Sequence, residues 1–179
     1  MEKSFVFAGF GGQGVMLAGK LLAQAGVDHG LEVTWLPSYG PEMRGGTANC
    51  TVLLSDEPIG SPVVDNPSAL VAMNLPSLDR FEKTVVAEGT IVVNSSLITR
   101  PVERGDVQAM RVPANDIAVS LGNPQVANMV VLGAVVKATG VIPFELIITA
   151  MARMIGRNIY SAKLIEVNEQ ALSAGYNAT

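Results

Sequence analysis

One cysteine, one histidine and few aromatic residues leave this sequence of 179 residues short of the groups on which much chemistry is built. The lone cysteine, Cys50, excludes an internal disulfide, a cysteine-ligated zinc site and an iron–sulfur cluster held by this chain alone. Charge is sparse as well. Only 16% of residues are charged, the formal net charge is −4 and there is no basic run, so the electrostatic footprint of a nucleic-acid binder is missing. Long apolar runs are also absent. The longest, Met129 to Val136, falls far short of the about 20 residues needed to span a bilayer. The N-terminal MEKSFVFAGFGG meets its glycines too early to be a signal peptide. The expectation is a soluble, cytoplasmic protein with neither nucleic acid nor membrane as partner.

Catalytic patterns are missing too. There is no nucleophile elbow, Walker loop or two-histidine metal pattern, and the acidic residues are scattered without metal spacing. Gly105-Asp106 is followed by Val107, where a thiamine-diphosphate loop carries glycine. His29 falls at the end of an apparent helix and before Gly30, which reads as capping in the favourable field of the helix C-terminus. Cys50 has no base near it in sequence and reads as a core thiol.

What is present is apolar: 49% of the residues, enough for a large core in one domain spanning 1–179, with some apolar surface left for a partner. The first half alternates short β-rich runs with turns. SFVFA, a glycine turn, a helix over Val15 to His29 and LEVTWLP form a strand–helix–strand unit, which predicts a parallel pair by its right-handed crossover. TANCTVLL, ALVAMN and GTIVVNSS follow as further strands. LPSLDRFEKTV between the last two reads as a helix started by Pro76 and Ser77.

From Pro113 the pattern turns helical: PANDIAVSLG, PQVANMVVLGAVVKATG, PFELIITAMARMIG and SAKLIEVNEQALSAG, separated by Gly122-Asn123-Pro124 and by Gly140 to Pro143. The stretch Val126 to Lys137 is apolar on nearly every side, as expected of a helix buried inside this chain or against another subunit. Asn123 and Asn158 read as capping or turn residues, while Asn128 adds a polar group to that apolar helix. The predicted class is α/β: a three-layer α/β/α fold with a Rossmann-like, mainly parallel sheet and a helical C-terminal half.

Two stretches carry the candidate site. In GFGGQGV, residues 9–15, Gly9, Gly11 and Gly14 satisfy G-x-G-x-x-G after a strand and before a helix. Such a turn aims backbone N–H groups and the positive helix end at a phosphate or carboxylate, although its glycines also suit close packing alone. A dinucleotide loop further requires an acid at the end of the second strand to hold the ribose. That strand ends LPSY, and Glu32 stands at its start. Gln13 and the extra Gly12 make the turn more polar and more open than the fingerprint requires.

The second stretch, SYGPEMRGG at residues 38–46, should lie at the same carboxyl edge of the sheet, where open α/β sheets bind ligands. It offers Ser38 and Tyr39 hydroxyls, the charged pair Glu42 and Arg44, and the pliant Gly45-Gly46. Arg44 can clamp a phosphate or carboxylate bidentately, or stand solvated in an exposed turn. In the following strand, Ala48, Cys50, Val52 and Leu54 share one face, and Thr47, Asn49 and Thr51 the other.

Together GFGGQGV, SYGPEMRGG, GNPQVANMVVLGA and AKLIEVNEQALSAG resemble the gamma subunit of 2-oxoacid:ferredoxin oxidoreductases, nearest the 2-oxoglutarate branch, over almost the whole chain. The resemblance implies a subunit that assists CoA-dependent oxidative decarboxylation of a 2-oxoacid to an acyl-CoA. Thiamine diphosphate and the iron–sulfur clusters would then reside on partner alpha and beta subunits, with delta a further candidate, and ferredoxin would be reached through the complex. No cofactor is expected on this chain alone, and coenzyme A is its candidate co-substrate. By the match, Gly11, Gly12, Gln13 and Gly14 form one candidate binding loop, and Tyr39, Gly40, Pro41, Glu42, Arg44, Gly45 and Gly46 the other, with no catalytic residue assigned. The alternative is a stand-alone Rossmann-type nucleotide- or CoA-binding protein.

Overall fold

The computed structural model describes residues 1–41, 46–156 and 161–178. Six strands form one sheet: β1 (Glu2–Phe10), β2 (Glu32–Tyr39), β3 (Thr47–Ser55), β4 (Ala69–Ala72), β5 (Thr90–Asn94) and β6 (Gln108–Val112). The helices are α1 (Val15–Asp28), α2 (Leu75–Phe81), α3 (Ala114–Ser120), α4 (Ala127–Thr139), α5 (Phe144–Ile155) and α6 (Ser161–Asn177). All five predicted strands and all six predicted helices are present. The fold class is as expected, with a mixed sheet and helices on both of its faces.

The sheet order is β2, β3, β1, β4, β5, β6. β1, β4, β5 and β6 pair in parallel, whereas β3 runs antiparallel to both β1 and β2. This corrects the first strand–helix–strand unit: β1 and β2 point the same way, but β3 is inserted between them. Only seven residues separate β2 from β3, and so short a connection favours an antiparallel neighbour, which pairs from Glu32 opposite Ser55 to Tyr39 opposite Ala48. β6, unforeseen in the sequence, forms the far edge; of its five residues only Val112 is buried, so its pattern is that of an exposed edge strand.

The two faces differ in depth. On one, Phe5, Phe7, Cys50, Val52 and Leu54 of the sheet pack with Leu21 and Leu22 of α1 and with Met129 and Leu132 of α4. On the other, Val6, Ala8, Leu70, Ile91 and Val93 are covered by Leu78 of α2 and by Ile98 of the connection after β5. Burial along β3 follows the expected alternation, with Ala48, Cys50, Val52 and Leu54 buried and Thr47 exposed, although Leu53 and Ser55 are buried too.

α4 lies between the sheet and α6, so every residue from Ala127 to Val136 is buried. The all-round apolar pattern is therefore satisfied within this chain. α4 and α6 approach so closely that a Cβ at Gly133 or Gly175 would collide with the backbone carbonyl of Leu172 or Val130. His29 is the C-cap residue of α1, its N–H donating to the carbonyls of Ala25 and Gly26. Asn74, not Ser77, caps α2, its side chain accepting the Ser77 N–H at 3.0 Å. Asn123 caps the 3-10 turn before α4 by accepting the Gln125 N–H, and Asn158 lies outside the described residues.

Candidate functional site

The end of β1, the end of β2 and the start of β3 meet at one edge of the sheet. The β1–β3 register runs out to Phe10 opposite Thr47, and one residue further the Gly11 N–H donates to the Gly46 carbonyl at 2.8 Å. The Gly40 N–H likewise donates to the Thr47 carbonyl. The glycine turn and the second loop are thus hydrogen-bonded neighbours, at the edge where the sequence places them. Glu42, Met43, Arg44 and Gly45 lie outside the described residues.

The turn opens on a hollow of about 300 Å³ lined by Gly11, Gly12, Gly14, the first turn of α1 and, from the opposite side, Tyr39 and Ala48. The start of α1 is bare. Its N-cap residue, Gly14, has no side chain to offer, and the first turn carries no acid. The first N–H groups of a helix have no intrahelical acceptor, and those of Val15, Met16 and Leu17 bond to no other described residue outside the helix. These three residues line the hollow, and no charged residue among the described ones does. A neutral pocket facing the unneutralised positive end of a 14-residue helix is suited to a phosphate or carboxylate.

The glycines of the turn divide their tasks. Gly12 has φ +99° and open space where a Cβ would stand, so its backbone can touch a ligand directly. Gly14 has φ +75°, and a Cβ there would strike the Asn128 carboxamide, whose Nδ2 donates to the Gly14 carbonyl at 3.1 Å. Gln13 folds back into the protein. Its Oε1 accepts from the Phe10 N–H at 2.7 Å and from Asn74 Nδ2 at 2.9 Å, and its Nε2 reaches the Met73 carbonyl. Gln13 therefore latches the end of β1 to the end of β4, with its amide committed inside the chain.

Sequence reasoning missed Asn74, Asn94 and Asn115. Fully buried Asn94 donates through Nδ2 to the Met73 carbonyl and, at 2.7 Å, to Asn115 Oδ1, while its own Oδ1 has no partner among the described residues. Each of the three stands at or just beyond the carboxyl end of a parallel strand, in ALVAMN, TIVVN and RVPAN. An apolar run ending repeatedly in Asn is the signal that marks them.

Cys50 lies beneath the site. It is fully buried, its Sγ contacts the Val15 carbonyl at 3.4 Å, and burial pushes its pKa up to about 12. A thiol so disfavoured as thiolate is structural. Among the described residues no group of three or more His, Cys, Asp or Glu is placed to hold a metal ion, and no helix is long and apolar enough to cross a membrane.

The topology also weighs against a dinucleotide. The strand beside β1 on this side is β3, which runs the wrong way and presents its beginning at the ligand edge. The strand-end acid of a nicotinamide site therefore has no position beside the turn.

The chain is 42% identical over 170 residues to the ketoisovalerate oxidoreductase subunit VorA of Methanothermobacter marburgensis, covering 94% of this chain and 34% of that one. It is 40% identical over 149 residues to the 2-oxoglutarate synthase subunit KorC of the same organism, covering 79% and 80% of the two chains. The chain thus spans about a quarter to a third of the length of the VorA proteins it matches, but most of KorC.

Among solved structures, the gamma subunit of a keto/oxoacid ferredoxin oxidoreductase from Geobacter sulfurreducens superimposes with a TM-score of 0.84 at 30% identity, over 98% of this chain and 95% of that one. The fold also matches 31% of a chain of the Magnetococcus marinus 2-oxoglutarate:ferredoxin oxidoreductase, solved with 2-oxoglutarate, coenzyme A and succinyl-CoA bound, with a TM-score of 0.90 at 22% identity over 99% of this chain. The family described as pyruvate ferredoxin/flavodoxin oxidoreductase matches residues 4–178. With that match over nearly the whole sequence, the chain belongs to the pyruvate ferredoxin/flavodoxin oxidoreductase family.

Proposed function

We infer that this chain is the gamma-type subunit of a 2-oxoacid:ferredoxin oxidoreductase, with 2-oxoglutarate the favoured 2-oxoacid, and that its glycine edge receives coenzyme A. In this reading the complex converts a 2-oxoacid and coenzyme A to acyl-CoA and carbon dioxide and passes the released electrons to ferredoxin. Thiamine diphosphate and the iron–sulfur clusters are carried by the alpha and beta subunits, with delta a further candidate. The chain itself works in the cytoplasm, binding and orienting the acyl acceptor. Gly11, Gly12, Gly14 and Tyr39 line the pocket, Gly46 joins the two loops, Gln13 holds the turn in shape, and Arg44 and Gly45 are the second loop's candidates for the phosphates.

The observation that carries this reading is the uncapped start of α1 facing a neutral hollow, with no nucleophile, base or metal ligand set beside it among the described residues. Such a pocket can hold the anionic part of coenzyme A, but it has no means of breaking a carbon–carbon bond. The matches to KorC and VorA support an assembled oxidoreductase as the setting. The missing strand-end acid and the interposed β3 disfavour a stand-alone nicotinamide enzyme.

Co-expression with the neighbouring subunits, followed by a CoA-dependent 2-oxoacid assay with an artificial electron acceptor, tests the assignment. The chain is expected to co-purify, and CoA-dependent turnover to need it. A complex that forms and turns over equally well without the chain overturns the reading, and saturable nicotinamide binding by the chain alone would revive the alternative.

A further inference from the structure

On the β4 side of the glycine turn lies a second, smaller hollow of about 110 Å³, lined by Gly12, Gln13, Met73, Asn115, Gln125 and Ala127. Gly12 borders both hollows. It has no side chain, and nothing lies within 4 Å of where a Cβ would stand.

The walls of the second hollow are uncharged, and three of its residues are carboxamides in different states of commitment. Gln13 is spent on the turn and on Asn74. Asn115 is fixed from behind. Because Asn94 Nδ2 also donates to the Met73 carbonyl, the Asn94–Asn115 bond is read as Nδ2 to Oδ1, and the Asn115 side-chain N–H groups donate to no described residue. The Gln125 carboxamide bonds to no described residue, although its backbone N–H is held by Asn123.

A fixed N–H₂ beside a free carboxamide matches one chemical group well, the secondary amide, whose carbonyl takes the Asn115 donor and whose N–H finds the Gln125 oxygen. A phosphate finds no cation on these walls. The size agrees, since about 110 Å³ suits an amide with its flanking methylenes rather than a nucleotide.

We propose that this second hollow seats one amide of the pantetheine arm of coenzyme A, while the phosphates lie on the α1 side of Gly12. The proposal rests on the coenzyme A reading above and deepens it: Asn115 and Gln125 become residues that recognise the acyl carrier's neutral arm.

The test uses the assembled complex with Gln125→Leu and Asn115→Ala. Gln125 is exposed and its side chain bonds to no described residue, so its replacement is expected to leave the fold intact. Loss of one amide hydrogen bond is expected to raise the KM for coenzyme A about 5- to 10-fold. The inhibition constant of adenosine 3′,5′-bisphosphate, which has phosphates but no arm, is expected to stay within about twofold, since that ligand makes no arm contact. Pantetheine, which has the arm but only a hydroxyl in place of the phosphates, should weaken by the same factor as coenzyme A.

An unchanged KM for coenzyme A in both variants, or an inhibition constant rising in step with it, overturns the proposal. Failure of the underlying reading looks different. In that case the bisphosphate does not compete with coenzyme A in the unmodified complex, and Gly12→Val leaves its inhibition constant unmoved.

Discussion

Gly14→Ala should be far more damaging than one added methyl group suggests. An L-residue at φ +75° costs roughly 1–2 kcal/mol in the left-handed region. The new Cβ also displaces the Asn128 carboxamide, which is 4% exposed and bonded to the Gly14 carbonyl. A buried amide deprived of its partner adds about 1–3 kcal/mol, for a total of about 2–5 kcal/mol. That is a large share of the 5–15 kcal/mol typical of a whole domain. Urea unfolding of the full chain, followed by the fluorescence of Trp35, its only tryptophan, reads the loss as a fall in midpoint at unchanged slope. Removing the obstruction separates the two contributions. Gly14→Ala combined with Asn128→Ala should be at least about 1 kcal/mol less destabilised than the sum of the single variants. A Gly14→Ala cost below about 0.5 kcal/mol would refute the reasoning, because both terms then vanish, and strict additivity in the cycle would refute the clash with Asn128.

Other consequences follow from the packing around that site. The Cys50 thiol stays protonated in the folded chain to about pH 12 but ionises near 9.0 once unfolded. Its contribution to stability is therefore complete below pH 9 and declines between 9 and 12, by at most about 1.4 kcal/mol per pH unit. Denaturation curves across that range should show Cys50→Ala lacking this part of the alkaline slope, and the native thiol should resist alkylation at pH 8. Gly175→Ala drives a methyl into the Val130 carbonyl at the α4–α6 crossing, and a loss of about 3 kcal/mol or a failure to fold is expected, measured by thermal melting. Arg100→Ala should cost about 1–3 kcal/mol in the same assay, because Glu82, 5% exposed, loses its 2.8 Å guanidinium partner while keeping the Glu103 N–H.

What could be read from the sequence was mainly local. SFVFA, the α1 stretch and GFGGQGV announce themselves because period, glycine and strand–turn–helix order are all written within 28 residues. β6 did not, since an edge strand such as QAMRV has little apolar alternation to show. The direction of β3 was also hidden: TANCTVLL reads as a strand either way, and only the pairing of Thr47 with Phe10 and of Ala48 with Tyr39 reveals that it turns back between β1 and β2. That reversal brings Gly46 to Gly11 and leaves no place for a ribose-binding acid. The second loop was found by motif, whereas Asn74, Asn94 and Asn115 were not, because strand ends distant in sequence share no spacing. Their convergence arises from the parallel pairing of β1, β4, β5 and β6, a property of the sheet rather than of any segment.

The central claim is that the bare start of α1 and the loop beside it receive the anionic part of coenzyme A. Hydrogen exchange on the assembled complex, with and without saturating coenzyme A, tests it most directly, since the N–H groups of Val15, Met16 and Leu17 have no helical acceptor and should exchange rapidly until a ligand oxygen takes them. The account predicts marked slowing at residues 12–17 on adding coenzyme A or adenosine 3′,5′-bisphosphate, and none with NADH. Unchanged exchange across those residues at saturating coenzyme A, in a complex that is turning over, would contradict it.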